Sequence, residues 1–120
     1  MSDQQIEQEI QAKGLTAPRV TPADIEANIL GEHYFTAAEA MEGRYPAGGI
    51  NEARTQMRAL SLLTFCVLVL RNGFTVTGES ACASPENFDA DLGRKIARQK
   101  AVGKVWSLMG YALKERLANK

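Results

Sequence analysis

Histidine, cysteine and aromatic residues are scarce in this chain of 120 residues. It has one histidine, two cysteines and 7% aromatic residues. Two cysteines and one histidine are too few for the four ligands of a structural zinc site. The single histidine also gives little support for a nucleophilic serine or cysteine, because no nucleophile-elbow spacing accompanies it. We therefore expect no metal, no cofactor and no enzymatic activity.

Long apolar segments and a secretory signal are also lacking. The most apolar window, residues 60–70, is about half as long as the roughly 20 residues that a bilayer span needs. The first ten residues are polar and acidic, without the basic-then-apolar order of a signal peptide. Cys66 lies inside the apolar window and is expected to be a buried free thiol. These features predict a cytosolic, reduced compartment and no membrane partner.

The chain has no net charge, with 14 Lys+Arg against 14 Asp+Glu. The zero net charge is the sum of two unlike halves. Residues 1–47 carry eight acids and three bases, and residues 48–120 carry six acids and eleven bases. The basic side chains concentrate in residues 94–104, which contain no acid. A sequence pI near 6.6 nevertheless argues against a dedicated duplex-DNA-binding protein.

The predicted fold is mainly α-helical. We expect residues 1–20 to form a flexible N-terminal extension and residues 21–120 to form a single helical domain. Its core would be a helical hairpin, with residues 50–71 packed against residues 85–117, and with a break at Gly48-Gly49 before the first of these helices. Helix starts are predicted from the capping residues at Thr21-Pro22, Thr36-Ala37-Ala38-Glu39 and Ser84-Pro85-Glu86-Asn87.

The apolar segment 62–70 leaves an alternative open. Asn72-Gly73 can end a helix as a left-handed cap or turn a hairpin, and residues 74–77 alternate at the strand period. A short β-hairpin at 64–77 is therefore the alternative to a helix. In either case the segment is apolar nearly all round and must be enclosed on several sides. Together with a second apolar stripe on the last helix, it predicts a homo-oligomer.

The basic stretch provides a candidate site for an anion. Arg94 and Arg98 are one helical turn apart, so both guanidinium groups can point at one ligand. The helix start at Ser84 would add free backbone N–H groups. The candidate ligand-binding residues are Arg94 and Arg98 for the anion, Ser80 and Glu79 for polar edges, and Tyr34 for stacking. The alternative is a solvated helix face whose bases pair with acidic residues of segment 86–91.

One stretch of the sequence resembles a known family. Residues 62–98 contain Gly78-Glu79-Ser80-Ala81-Cys82 and then Ser84-Pro85-Glu86-Asn87-Phe88-Asp89, which resemble the small tailed-phage and prophage gene-product-forty-nine-like family. Pro18-Arg19-Val20-Thr21-Pro22, Tyr34-Phe35-Thr36-Ala37-Ala38 and Trp106 with Gly110-Tyr111 are similar to it as well, so the resemblance covers most of residues 15–118. It implies a phage-encoded accessory protein of the host cytoplasm and supplies no catalytic residue.

Two hypotheses of function follow. In the first, the chain is a non-enzymatic counter-defence protein, a homo-oligomer whose subunit interfaces sequester an anionic small molecule such as a nucleotide immune signal. In the second, it is a protein-binding inhibitor of a host defence or regulatory complex, whose acidic N-terminal half imitates the charge of a nucleic acid. A nucleic-acid-binding accessory role is the third reading.

Overall fold

A three-stranded antiparallel sheet, with a 29-residue helix packed on one face, forms the centre of the molecule. The computed structural model describes residues 2–44 and 51–120. The helices are α1 (Asp3–Ala12), α2 (Pro22–Asn28), α3 (Ala37–Arg44), α4 (Asn51–Leu60) and α5 (Ala90–Ala118). The strands are β1 (Ile29–Thr36), β2 (Leu63–Leu70) and β3 (Thr75–Ala81), with β2 in the middle. Within the described residues, no helix has both the length and the apolar character to span a membrane.

The expectation of a mainly α-helical fold is wrong, because the structure is mixed α/β. The predicted helix over residues 50–71 is α4 followed by β2, so the helical hairpin does not form and α5 packs against a sheet. The alternative of a β-hairpin is the arrangement found, although it extends from β2 to the end of β3. Threonine, phenylalanine and valine side chains in β2 favour an extended backbone once the polar face of α4 has ended.

The hairpin turns at Asn72-Gly73, where glycine adopts a positive φ of 89°. The Leu70 N–H donates to the Phe74 carbonyl at 2.8 Å, which closes the turn. The sequence did not predict β1. This strand pairs with β2, and the pairing contains a bulge between Ile29 and Gly31. Such a bulge sets two residues of one strand against one of its neighbour.

Two of the three predicted helix starts are confirmed. Thr21 and Asp24 form a capping box on α2, and Thr36 and Glu39 exchange the same pair of hydrogen bonds before α3. The prediction at Ser84 is wrong, because residues 85–87 form only a 3₁₀ turn and α5 begins later, at Ala90. The predicted break at Gly48-Gly49 and the start at residue 50 lie outside the described residues.

The core lies between the sheet and α5. Even-numbered side chains of β2 point toward the helix, and the Cys66 thiol is fully buried and free, as predicted. Close contact requires small residues, since a Cβ at Gly78 would lie 2.2 Å from the Ala97 carbonyl oxygen. The buried core residues are Ile25, Cys66, Leu68, Leu70, Val76, Ala97, Ala101 and Val105.

Part of the expected N-terminal extension forms α1, which makes polar contacts with the rest of the chain. Glu7 is buried and accepts two hydrogen bonds from the Arg19 guanidinium, both at 2.6 Å. The indole N–H of Trp106 on α5 donates to the Asp3 carboxylate at 3.0 Å. Hydrogen bonds from Arg19 and Gln11 lower the pKa of Glu7 to about 2, so its carboxylate is charged at neutral pH.

Candidate functional site

A cavity of about 390 Å³ lies where β1 ends, β2 begins and α5 starts. The sheet brings these segments together, because β1 and β2 are antiparallel neighbours whose register pairs Thr36 with Thr64. The lining combines aromatic, hydroxyl and charged side chains, namely Tyr34, Phe35, Thr36, Glu39, Ser61, Thr64, Phe88, Ala90 and Arg94. Its volume is within the range of about 300–1,000 Å³ that is typical of small-molecule sites.

Thr64 distinguishes this cavity from the other clefts of the described chain. Its side chain is only 3% exposed, and its hydroxyl oxygen has no hydrogen-bond partner. The backbone of α5 comes so close here that a Cβ at Gly93 would lie 3.0 Å from that oxygen. A buried hydroxyl without a partner costs about 1–3 kcal/mol. The arrangement therefore leaves a hydrogen-bonding group unused beside the cavity.

Arg94 provides a guanidinium whose bonding capacity is largely unused. Its ion pair with Asp91 is long, at 3.9 Å, and both side chains are well exposed. Exposed pairs of this kind contribute little stability. A planar guanidinium has five N–H donors, so Arg94 can still donate two parallel hydrogen bonds to one anion.

Arg98 is held by carboxylates from two other elements. Its guanidinium donates to Glu26 of α2 at 2.8 Å and to Glu32 of β1 at 2.9 Å. Partial burial opposes the charge of Arg98, but the hydrogen bonds to Glu26 and Glu32 outweigh this effect and raise its pKa above the usual value. The donors of Arg98 are therefore engaged by acids of the same chain, whereas Arg94 lies at the cavity with most of its donors unused.

Tyr34 is a half-buried residue on the wall of the cavity. Its hydroxyl donates to the Glu32 carboxylate at 3.3 Å. Burial and the nearby Cys66 and Glu32 raise the pKa of Tyr34 to about 12, so the phenol keeps its proton at neutral pH. The side chain can therefore offer an uncharged ring to a ligand.

The other two predicted site residues, Ser80 and Glu79, lie on opposite faces of β3. Ser80 pairs with Thr64 across the β2–β3 ladder and lies on the side of α5, next to the cavity. Glu79 pairs with Phe65 and points to the other face of the sheet. The structure thus brings Tyr34 and Arg94 together, places Ser80 nearby, and separates Glu79 from them.

The sequence predicted only two of the nine lining residues, Tyr34 and Arg94; those it missed include Thr64, Glu39 and Phe88. Thr64 carried a usable signal, because it is one of the few polar residues in an apolar segment. Glu39 was recognised only as a helix cap, and it does accept the Thr36 N–H at 3.0 Å. The expected N–H site at Ser84 is not formed, because the N-terminus of α5 is capped by the Asp89 carboxylate, which accepts the Leu92 N–H.

The comparison with protein families assigns the chain. A model of the phage protein (N4 Gp49/phage Sf6 gene 66) family matches residues 20–117. This range includes every residue that lines the cavity and excludes α1. Neither the curated proteins nor the solved structures contain a match. The match confirms the resemblance seen in the sequence, and the chain belongs to the N4 Gp49/phage Sf6 gene 66 family of phage proteins.

Proposed function

We propose that this phage protein is a non-enzymatic binding protein that sequesters an anionic small molecule with an aromatic ring, and that the cavity beside α5 is its binding site. Nucleotides are the class of ligand that fits this description. The observation that carries the proposal is the buried, unpartnered hydroxyl of Thr64 beside a cavity that also presents the Arg94 guanidinium. The hydroxyl is covered by the backbone of α5 near Gly93, so a ligand supplies its missing hydrogen-bond partner when the start of α5 moves aside.

The charges on the lining restrict the chemistry of the ligand. Arg94 attracts an anionic group, whereas the Glu39 carboxylate repels one and accepts N–H donors. Tyr34 and Phe88 provide rings for stacking. A ligand with a phosphate at one end and a base with N–H groups at the other satisfies all of these groups. A simple inorganic anion satisfies only Arg94.

Binding without conversion is enough for a counter-defence role. A phage protein that holds a nucleotide signal lowers the free concentration of that signal in the host cytoplasm, in proportion to the number of protein copies. The cavity binds the ligand and releases it unchanged, so the proposed role needs no catalytic group. The acidic half of the chain is in part neutralised by Arg98 within the same molecule, which reduces its availability as an imitation of nucleic-acid charge.

Calorimetry on the purified protein tests this function. Linear and cyclic nucleotides are titrated into the wild type, with inorganic phosphate as a reference. Arg94→Ala should weaken nucleotide binding by about 10-fold or more, since a hydrogen bond to a charged group contributes about 1.5–3 kcal/mol. Lys95→Ala is the matched control, because Lys95 is adjacent, carries the same charge, pairs with Asp91 at 3.1 Å and does not line the cavity.

The outcomes distinguish binding in the cavity from general electrostatic attraction to the protein. Strong loss in the Arg94 variant with little change in the Lys95 variant supports the proposal, provided that mass spectrometry recovers the nucleotide unchanged. Equal losses in both variants would show attraction by net charge and contradict the assigned site. The absence of heat with every nucleotide, from protein shown to be folded, would overturn the function.

A further inference from the structure

We propose that a cleft beside the C-terminal end of α5 is a second anion-binding site, which takes a phosphate monoester with a small aliphatic group. The cleft has a volume of about 500 Å³ and lies between α2, the residue after β2 and the last turns of α5. Arg19, Arg71 and Arg116 all line it. It shares no lining residue with the cavity beside Arg94, so this proposal does not depend on the first.

Arg71 is fixed against the end of α2 but keeps most of its donors. Its backbone N–H donates to the Asn28 carbonyl at 3.0 Å, and its Nε donates to the Ala27 carbonyl at 2.5 Å. These bonds satisfy carbonyl groups that the end of a helix leaves without partners. Neither Nη group has a partner among the described residues. The guanidinium is therefore oriented by Nε, and its Nη donors are available to a ligand in the cleft.

Arg116 brings a second guanidinium to the cleft from another part of the chain. It lies in the last turn of α5, on the helix face that also carries Met109 and Leu113. Arg116 is exposed, and its guanidinium forms no ion pair or hydrogen bond within residues 2–44 and 51–120. The helix dipole favours a cation at this end of α5. That attraction does not account for a second arginine with unused donors, Arg71, in the same cleft.

The charges around the cleft favour a ligand with a single phosphate. Arg19 is neutralised by Glu7, to which its guanidinium donates two hydrogen bonds. The Asp24 carboxylate also lines the cleft, where it accepts the Thr21 N–H at 2.9 Å. Two unpaired arginines therefore lie near one acid. This balance attracts one phosphate and disfavours the larger negative charge of a diphosphate or triphosphate.

The remaining lining determines the rest of the ligand. Val20, Met109 and Leu113 are half-buried, and no aromatic side chain of the described chain lines the cleft. An aliphatic group can leave water by packing against these side chains. A phosphate monoester has three terminal oxygens, enough to accept from the guanidinium groups of two arginines, whereas a carboxylate has only two. An aliphatic phosphate monoester satisfies both parts of the lining.

An NMR titration of ¹⁵N-labelled full-length protein tests the site. The probe is n-butyl phosphate, with inorganic phosphate and pentanoate as references. Saturable shifts are expected for Arg71 and residues 109–116, with tighter binding of the probe than of either reference. Arg116→Gln should weaken this binding by about 10-fold or more, because it removes charge-assisted hydrogen bonds. Lys114→Gln is the matched control, since Lys114 is exposed, carries the same charge and does not line the cleft.

The readouts distinguish this cleft from the cavity proposed for nucleotides. Arg94→Ala should leave the shifts at the end of α5 unchanged, because Arg94 and Arg116 are about 33 Å apart along the helix at 1.5 Å per residue. That result is expected whether or not nucleotides bind beside Arg94. The absence of saturable shifts at millimolar probe would overturn the proposal. So would equal losses in the Arg116 and Lys114 variants, or a reference that binds as tightly as n-butyl phosphate.

Discussion

The side chain of Thr64 is buried between β2 and the start of α5, and its hydroxyl has no partner. A valine at this position would have nearly the same shape and would need no hydrogen bond. A threonine in place of valine is explained by the proposed ligand, because binding sites contain polar groups that lower stability but serve function. At this residue, the requirements of stability and of the proposed binding oppose each other.

Thr64→Val should therefore stabilise the free protein and weaken its proposed binding. We expect the free energy of unfolding to rise by about 1 kcal/mol, since replacing an unpaired buried hydroxyl removes its desolvation cost. Urea denaturation without ligand measures this change. Thr16→Val, at an exposed loop position, should stay within about 0.5 kcal/mol of the wild type. A destabilised Thr64→Val protein would indicate that the hydroxyl is already satisfied in solution.

Glu7 should make stability depend on acidity. Its pKa is about 2 in the folded chain, against an ordinary value of 4.5, mainly because Arg19 donates two hydrogen bonds to it. A lowered folded-state pKa adds stability that is complete above pH 4.5 and is lost as the pH falls toward 2. In Glu7→Gln this part of the pH dependence should disappear, as followed by denaturant unfolding at several pH values.

Glu9→Gln provides the comparison for the acid experiment. Glu9 is on the same helix and pairs with Lys13 at 3.2 Å, but both side chains are at least half exposed. Its replacement should leave the loss of stability between pH 4.5 and 2 in place. If the Glu7 and Glu9 variants show the same pH profile, the contact with Arg19 does not hold α1 in the folded protein.

Among the elements, α5 depends most on close packing. Gly78 of β3 permits the approach of the helix backbone, since an added Cβ would lie 2.2 Å from the Ala97 oxygen and 2.5 Å from the Ala101 nitrogen. Both neighbours are backbone atoms and cannot rotate away. By contrast, a Cβ added at Gly103 of the same helix meets nothing within 4 Å.

The same substitution at these two glycines should have opposite effects. Gly78→Ala is expected to lower the free energy of unfolding by about 3 kcal/mol or more, because α5 must move off the sheet. Gly103→Ala should raise it by about 1 kcal/mol, since alanine favours the helix interior. Thermal unfolding followed by circular dichroism compares both variants with the wild type. A tolerated Gly78→Ala would contradict the close approach of α5 to β3.

The sequence predicted local signals better than the elements that depend on packing. Capping motifs identified the starts of α2 and α3 because their hydrogen bonds are formed within four residues. The period of an apolar segment does not distinguish a buried strand from a buried helix, so the segment of β2 was predicted first as a helix and only alternatively as part of a hairpin. Arg94 and Tyr34 were selected by their chemistry, yet their common cavity depends on the β1–β2 pairing, which no local pattern reveals. Thr64 became notable only once its surroundings were known.

The whole molecule joins an acidic half and a basic half at Arg98. This guanidinium on α5 links Glu26 of α2 and Glu32 of β1, so one side chain connects three elements. The long helix, about 43 Å at 1.5 Å per residue, accounts for most of the longest dimension of 58 Å. Contacts such as the ion pairs of Arg98 therefore help to hold α2 and β1 against the long helix α5.

Removing this connection should affect the whole chain rather than one element. Arg98→Gln leaves two carboxylates without their partner, and we expect it to lower the free energy of unfolding by about 1 kcal/mol, a value reduced by the exposure of both acids. The difference from the wild type should shrink as salt is raised from low ionic strength toward 1 M, because screening weakens the pairs. Lys95→Gln, whose single pair with Asp91 is more exposed, should change stability by less. Equal effects in the two variants, or no dependence on salt, would mean that the ion pairs of Arg98 do not help to hold the two halves together.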